Sequence, residues 1–306
     1  MSWPSWEPER LRLVDALRQH AAHVRPLPGI GEAYALDTLA RQLVASLRRE
    51  AYYKQVQAKP VSARRANPND PGFDAERAVA HHIQLGDVDE AGWLAFLMTH
   101  FARPADTGWL RLRDVYGRLG EGIWDWPTVS ADPAAFEAWL AENWRRVRGR
   151  FGNHRKYQSL RPDAATGTGR VIRSYVDWIG PQGHRAMLAD VVRRNGNHPH
   201  AIFDALYWEM PIVGFGRLGK FDYLSMLGRY GIAPVEAGSA YLDGATGPAS
   251  GASLLFDGVR NGPTSRTGLQ SMLDELDRDL RVGMAVTEDA LCNWQKSPGR
   301  FVHYKG

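Results

Sequence analysis

The sequence predicts a mainly α-helical fold, on three observations. Apolar residues recur at three- and four-residue steps through most of its 306 positions, the spacing that lines one face of a helix. Alternating apolar and polar runs of the kind that build strands are scarce. Several periodic stretches also open on helix starts: Asp132 before Pro133, Thr246 before Pro248, and Thr287 before Glu288 and Asp289.

Leu11, Val14 and Leu17 mark a first helix, and Leu36, Leu39, Leu43 and Leu47 a second. Segment 59–72 is rich in Pro, Asn and Gly and reads as loop. Helical periodicity resumes over 74–85, 88–102 and 133–149, and again, after a Gly- and Thr-rich break at 161–169, over 170–179, 184–194, 200–209 and 217–229. The last stretches are 248–257, 268–281 and 287–296, with a Gly- and Pro-containing break from 258 to 268. None of the breaks is a long linker, and neither a fixed-period repeat nor a low-complexity tract is present. The economical organisation is an N-terminal helix, 1–26, packed on a single helical domain, 27–306, whose two lobes flank a ligand cleft.

With 44% hydrophobic residues the chain can bury a substantial core, which excludes disordered and collagen-like classes. Basic residues number 38 against 34 acidic ones, and only six of the 38 are Lys. Arg forks onto phosphate and stacks on flat rings, and eleven Trp with eleven Tyr supply rings for bases to stack on, so the balance leans toward a polyanion partner. A single cysteine, Cys292, makes neither an internal disulfide nor a Cys-built metal site. The expectation is a cytoplasmic protein without secretion signal, membrane span, metal or cofactor.

Four stretches carry chemistry. The first, Met210 to Lys220, reads as helix, Gly-x-Gly hairpin, helix. Gly214 and Gly216 let backbone approach a phosphate, the first amides of the second helix point outward, and Arg217 and Lys220 add charge; the alternative is a tight interhelical turn. Leu27 to Gly31 has the same grammar. The second, Phe151 to Leu160, sets Asn153, His154, Arg155, Lys156 and Tyr157 in consecutive positions, types suited to reading base edges, stacking and gripping phosphate. The third, Thr287 to Pro298, places Asp289, Asn293 and Lys296 on one helix face beside Cys292. The fourth, Tyr241 to Ala252, brings small residues and Asp243 to a helix opening, with Glu236 seven residues earlier. The adjacent pair His81 and His82 points to different helix faces and does not suggest a metal site, and no Gly-Lys-Ser/Thr ending marks a Walker loop.

The stretches 151–160, 215–224, 244–248 and 288–298 resemble the alpha-glutamyl/putrescinyl thymine pyrophosphorylase family, clade 3, and the resemblance runs over roughly 27–298. It implies a helical fold similar to helix-hairpin-helix DNA glycosylases and a link to hypermodified pyrimidines in phage DNA. Members similar to this chain are associated with anti-phage glycosylase activity on glucosylated hydroxymethylcytosine. In glycosylases of that kind the hairpin is followed by a helix, a loop and a Val-Asp pair; here Val213 to Gly216 is followed by Val235 and Glu236. The acid is Glu where the pattern has Asp, so Asp243 and Asp222 stand as alternatives. Lys220 matches the lysine nucleophile of such enzymes only loosely, which implies a monofunctional enzyme.

On this reading the amides of 214–219, with Arg217 and Lys220, hold the DNA backbone, while Asn153, His154, Lys156, Tyr157, Asp289, Asn293 and Lys296 contact the extruded base. No obligate protein partner is implied. Two other functions fit the same residues. One is a tailoring transferase that replaces diphosphate on a modified uracil with an amine, gripping it with Arg155, Lys156, Arg217 and Lys296. The other is a non-catalytic reader of modified DNA.

Overall fold

Fourteen α-helices make up the computed structural model, which describes residues 3–304. In chain order they are α1 (Glu7–His23), α2 (Ala33–Gln57), α3 (Ala75–Gln84), α4 (Val88–Phe101), α5 (Leu110–Tyr116), α6 (Trp126–Ala131) and α7 (Pro133–Asn143). They continue with α8 (Thr168–Ile179), α9 (Gly183–Asn195), α10 (Pro199–Glu209), α11 (Arg217–Arg229), α12 (Gly247–Asp257), α13 (Arg266–Leu280) and α14 (Met284–Trp294). Among the described residues no sheet forms, and strand-like pairing is limited to an isolated bridge between Ser159 and Gly167. The mainly α expectation holds.

Side-chain caps set several starts. Asp74, Asp87, Asp125, Asp132 and Ser265 each accept a hydrogen bond from a first-turn amide of the helix that follows. Thr246 makes no such bond, and the start expected at Thr287 lies one turn inside α14, whose N-cap is Gly283. The stretch read as 133–149 stops being helical at Asn143, and Arg148 is instead bound to Asp114 through its amide and guanidinium. Leu11 is exposed; the core face of α1 is Leu13, Val14 and Leu17. Helices α5 and α6, of seven and six residues, were not expected.

The chain divides into two units. One combines the residues up to Tyr52 with Ala237–Tyr304. In it α1 lies on α13, tied by Arg12 to the Leu280 carbonyl (3.0 Å) and by His20 to Asp279 (2.7 Å). Helix α12 packs on α14 at backbone distance, because a Cβ at Gly251 would stand only 2.4 Å from the Leu291 carbonyl oxygen. Gly29 is used in the same way against Leu254 of α12, so the Leu27 to Gly31 turn is a packing element. Gly251→Ala should therefore lower unfolding free energy by about 1–3 kcal/mol, the usual range for overpacking, read from the denaturant midpoint.

The other unit is Tyr53–Glu236. Its axis is α4, in which every residue from Glu90 to Phe101 is buried, the pattern of a helix apolar all round and enclosed by others. Helices α3, α5, α6, α9 and α11 pack on it, and α7 with α8 and α9 with α10 extend the bundle.

Candidate functional site

The Gly-x-Gly stretch forms a short turn between two packed helices. Its apolar residues, Met210, Ile212 and Phe215, are buried and anchor it. Val213, Gly214 and Gly216 are exposed, and the Val213 amide donates to the Ser174 hydroxyl at 3.0 Å. Gly214 takes φ +70, a left-handed conformation that strains any side chain, and no side chain caps α11 at Gly216. The first turn of α11 thus begins without a side-chain cap, at the positive end of the helix dipole. Arg217 lies over the Phe221 ring, 4.6 Å from its centroid. Lys220 reaches back to the last turn of α10, donating to the Tyr207 carbonyl at 3.1 Å, and burial holds its ammonium below the usual lysine range.

The 151–158 segment packs directly on this turn. Phe151 stacks on Phe101, and the Gly152 amide donates to the Phe101 carbonyl at 2.9 Å. A 3₁₀ turn over Asn153–Arg155 then sends consecutive side chains in different directions. Asn153, His154, Lys156 and Tyr157 are exposed, Tyr157 by 86%. Arg155 turns inward and is 5% exposed. It donates through Nε to the Thr99 carbonyl (3.0 Å) and through Nη2 to the Leu218 carbonyl (3.4 Å) and Asp222 Oδ2 (3.1 Å). Its burial lowers its affinity for the proton, an effect that Asp222 opposes. Gln158 completes the join with a bond from Nε2 to the Gly214 carbonyl at 3.3 Å. Arg155 therefore fastens the loop to α11, and the surface role in gripping diphosphate expected for it is corrected.

Behind the turn His100 lies parallel to Phe96 and Phe215, with Nε2 3.0 Å from the Thr168 hydroxyl. Burial, with Arg155 nearby, pushes its imidazole down to about 3, so it is neutral and part of the packing.

The three candidate acids are not equivalent. Asp222 sits one turn after Leu218 on the α11 face that meets Arg155, its side chain 39% exposed. Glu236 is exposed, and its amide lies 3.4 Å from the carbonyl of Pro199, the first residue of α10. That places it about one helix length, roughly 15 Å, from the turn that follows α10. Asp243, also exposed, belongs to the other unit.

The remaining candidates of that other unit form their own chain of contacts. Asp289 receives the Arg49 guanidinium and the Ser46 hydroxyl from α2; Asn293 donates to Asp289 at 3.0 Å, and Lys296 donates to Asn293 at 2.9 Å. Asp289 and Asn293 share one face of α14, and Lys296, two residues past its end at Trp294, joins them from the following turn. Cys292 lies against Gly247, so the 244–248 and 288–298 stretches meet, just as 151–158 meets 214–222. Arg49 was missed, since no local pattern links it to a residue 240 positions away.

A second group, buried except for its partly exposed acid Asp89, also went unseen. Asp89 accepts from the amide and Nδ1 of His184, whose Nε2 is bonded to the Tyr175 hydroxyl, which lies 2.9 Å from that of Tyr223. These four residues come from α4, α9, α8 and α11, and periodicity reports only that such positions are buried. Burial pushes His184 down, and the contact with His184 holds Asp89 below the carboxylate range.

Among the described residues no helix is long and apolar enough to cross a membrane. No curated protein and no solved structure matches the chain. The model of one family matches residues 34–306, a span that takes in all four motifs. The chain belongs to the alpha-glutamyl/putrescinyl thymine pyrophosphorylase family, clade 3.

Proposed function

We propose that this protein is a monofunctional DNA N-glycosylase that excises a bulky modified pyrimidine from phage DNA. The observation that carries the reading is the join just described: an uncapped helix start behind a Gly-x-Gly turn, fastened by Arg155 and Gln158 to a loop that presents Asn153, His154, Lys156 and Tyr157. Amides at the start of α11, with Arg217 and Lys220, suit a DNA phosphate. The exposed loop offers donors, acceptors and a ring to a base turned out of the stack. The family name, which speaks of a thymine carrying alpha-glutamyl or putrescinyl groups, favours a pyrimidine enlarged at its 5-substituent.

In the reaction the C1′–N1 bond breaks, the base departs with the electron pair and takes up a proton, and water adds to C1′ to leave an abasic site. Positive charge builds on the deoxyribose, so a carboxylate nearby lowers the barrier. Asp222, on the helix that leaves the turn, is the candidate acid bonded to the loop. Asp289, Asn293 and Lys296 remain proposed base contacts, and Glu236 and Asp243 the alternative acids. In the rival transferase, the inward turn of Arg155 removes one of the cations a diphosphate would need.

The test is incubation with phage DNA carrying alpha-glucosylated 5-hydroxymethylcytosine, with DNA carrying pyrophosphorylated 5-hydroxymethyluracil, and with unmodified DNA. Mass spectrometry would read free base and alkali would reveal abasic sites. The expected result is free modified base and alkali-labile strands from modified DNA alone. Diphosphate release with an amine adduct on an intact strand would replace the glycosylase by the transferase.

A further inference from the structure

Large apolar side chains exposed to water are few in the Tyr53–Glu236 unit: Leu85, Ile123, Tyr157, Trp208 and Val213. Three of the five fall on the Gly-x-Gly turn or on segments bonded to it. Val213 belongs to the turn itself and is 38% exposed. Tyr157, 86% exposed, precedes Gln158, which is bonded to Gly214. Trp208, 69% exposed, follows Tyr207, whose carbonyl holds Lys220 of α11. Isolated exposed apolar residues are ordinary, but here two large exposed rings each adjoin a residue bonded to the turn or to the helix that leaves it.

Cations accompany both the turn and the loop, and the acids near them are Asp204, an exposed α10 residue one turn before Trp208, Asp222, which pairs with Arg155, and Glu209. Lys156 lies 5.0 Å from the Tyr157 ring centroid, Lys220 lies 5.6 Å from that of Tyr207, and Arg217 stands at the open start of α11. The acid next to Trp208, Glu209, is held at 3.0 Å by both ends of the Arg194 guanidinium, whose Nε is bonded to Asp190. Flat rings beside cations are the means by which proteins hold single-stranded nucleic acid: bases stack on the rings while the backbone follows the positive charge. Paired bases in a duplex keep their faces covered and offer the rings nothing.

We infer that Trp208 and Tyr157 are stacking platforms for an unpaired stretch of DNA strand crossing the Gly-x-Gly turn, so the protein engages its DNA in locally melted or single-stranded form. The inference rests on the DNA reading above and extends it to the state of the strand. Trp208, which nothing in the motif pattern singled out, is the new residue.

The test is fluorescence anisotropy with an unmodified fluorescein-labelled oligonucleotide, alone and annealed to its complement, at fixed salt. Because no turnover is involved, it reads strand binding separately from base release. The single strand should bind more tightly than the duplex. Trp208→Ala and Tyr157→Ala should each weaken single-strand binding about tenfold, in line with the loss of one stacked base. Trp208→Phe should recover most of that loss, and Leu85→Ala, at an exposed position just past α3, should change nothing. Equal affinity for both forms, or full single-strand affinity in the Trp208→Ala and Tyr157→Ala double variant, overturns the inference. Ring-dependent single-strand binding by a protein that releases no base would uphold it and remove the glycosylase.

Discussion

Asp222→Asn should slow release of the modified base by about two orders of magnitude while leaving DNA affinity nearly unchanged. The argument is electrostatic. A carboxylate about 5 Å from a developing sugar cation contributes about 3 kcal/mol at an effective dielectric constant near 20, which is about a hundredfold in rate. The amide keeps the size and removes the charge. It also leaves the Arg155 guanidinium, 3.1 Å from Asp222 in the parent protein, without its counter-charge. An unbalanced cation opposes charge build-up on the sugar, so both consequences act in one direction. The loop should stay in place, since Arg155 retains its bonds to the Thr99 and Leu218 carbonyls. Single-turnover rates at saturating enzyme check this, together with oligonucleotide binding. Glu236→Gln and Asp243→Asn, run in parallel, should keep most of the rate. Loss of turnover in Glu236→Gln with full turnover in Asp222→Asn would return the acid to the position the hairpin spacing marks.

The contrast between these acids shows which parts of the site could be read from sequence. Helices of ten residues or more declare themselves by apolar period, and those entered through an aspartate, such as α7 at Asp132, declare their starts as well. Helices α5 and α6 span fewer than two full turns, too short for a period to emerge. Thr287 resembles a cap because its neighbours are acidic, yet α14 begins at Met284, behind Gly283. The site followed the same logic. Each motif was visible as a run of unusual residues, but their pairing, 151–158 with 214–222 and 244–248 with 288–298, is tertiary. Arg155 shows the limit most clearly. Its neighbours are all exposed and polar, so local context assigns it to the surface, whereas the 3₁₀ turn aims it at Asp222, 67 residues away.

A buried carboxyl outside the site should govern how stability depends on pH. Glu90 lies in the first turn of α4, where its amide is capped by Asp87 while its own carboxyl turns inward. There one oxygen receives the Tyr116 hydroxyl and the other the Trp126 amide, both at 2.6 Å. Burial pushes its pKa up to about 8 despite those two bonds, from 4.5 in the unfolded chain. Below pH 4.5 the group is protonated in both states and its stabilising contribution is complete. Between 4.5 and 8 the unfolded chain releases the proton and the folded one keeps it, so stability falls by about 1.4 kcal/mol per pH unit. Glu90→Gln removes the titration. Its carbonyl still accepts from Trp126 and its amide donates to the Tyr116 oxygen. The variant should therefore be more stable than the parent by about 4 kcal/mol at pH 8 and by less than about 1 kcal/mol at pH 5, measured by urea unfolding. His100 and His184 act with the opposite sign, because burial keeps both neutral and stability is lost as the unfolded chain protonates below pH 6.5. Comparing parent and variant at one pH cancels those two groups. A variant less stable than the parent at pH 8 would mean that Glu90 is ionised in the folded protein, its two hydrogen bonds outweighing the loss of solvent.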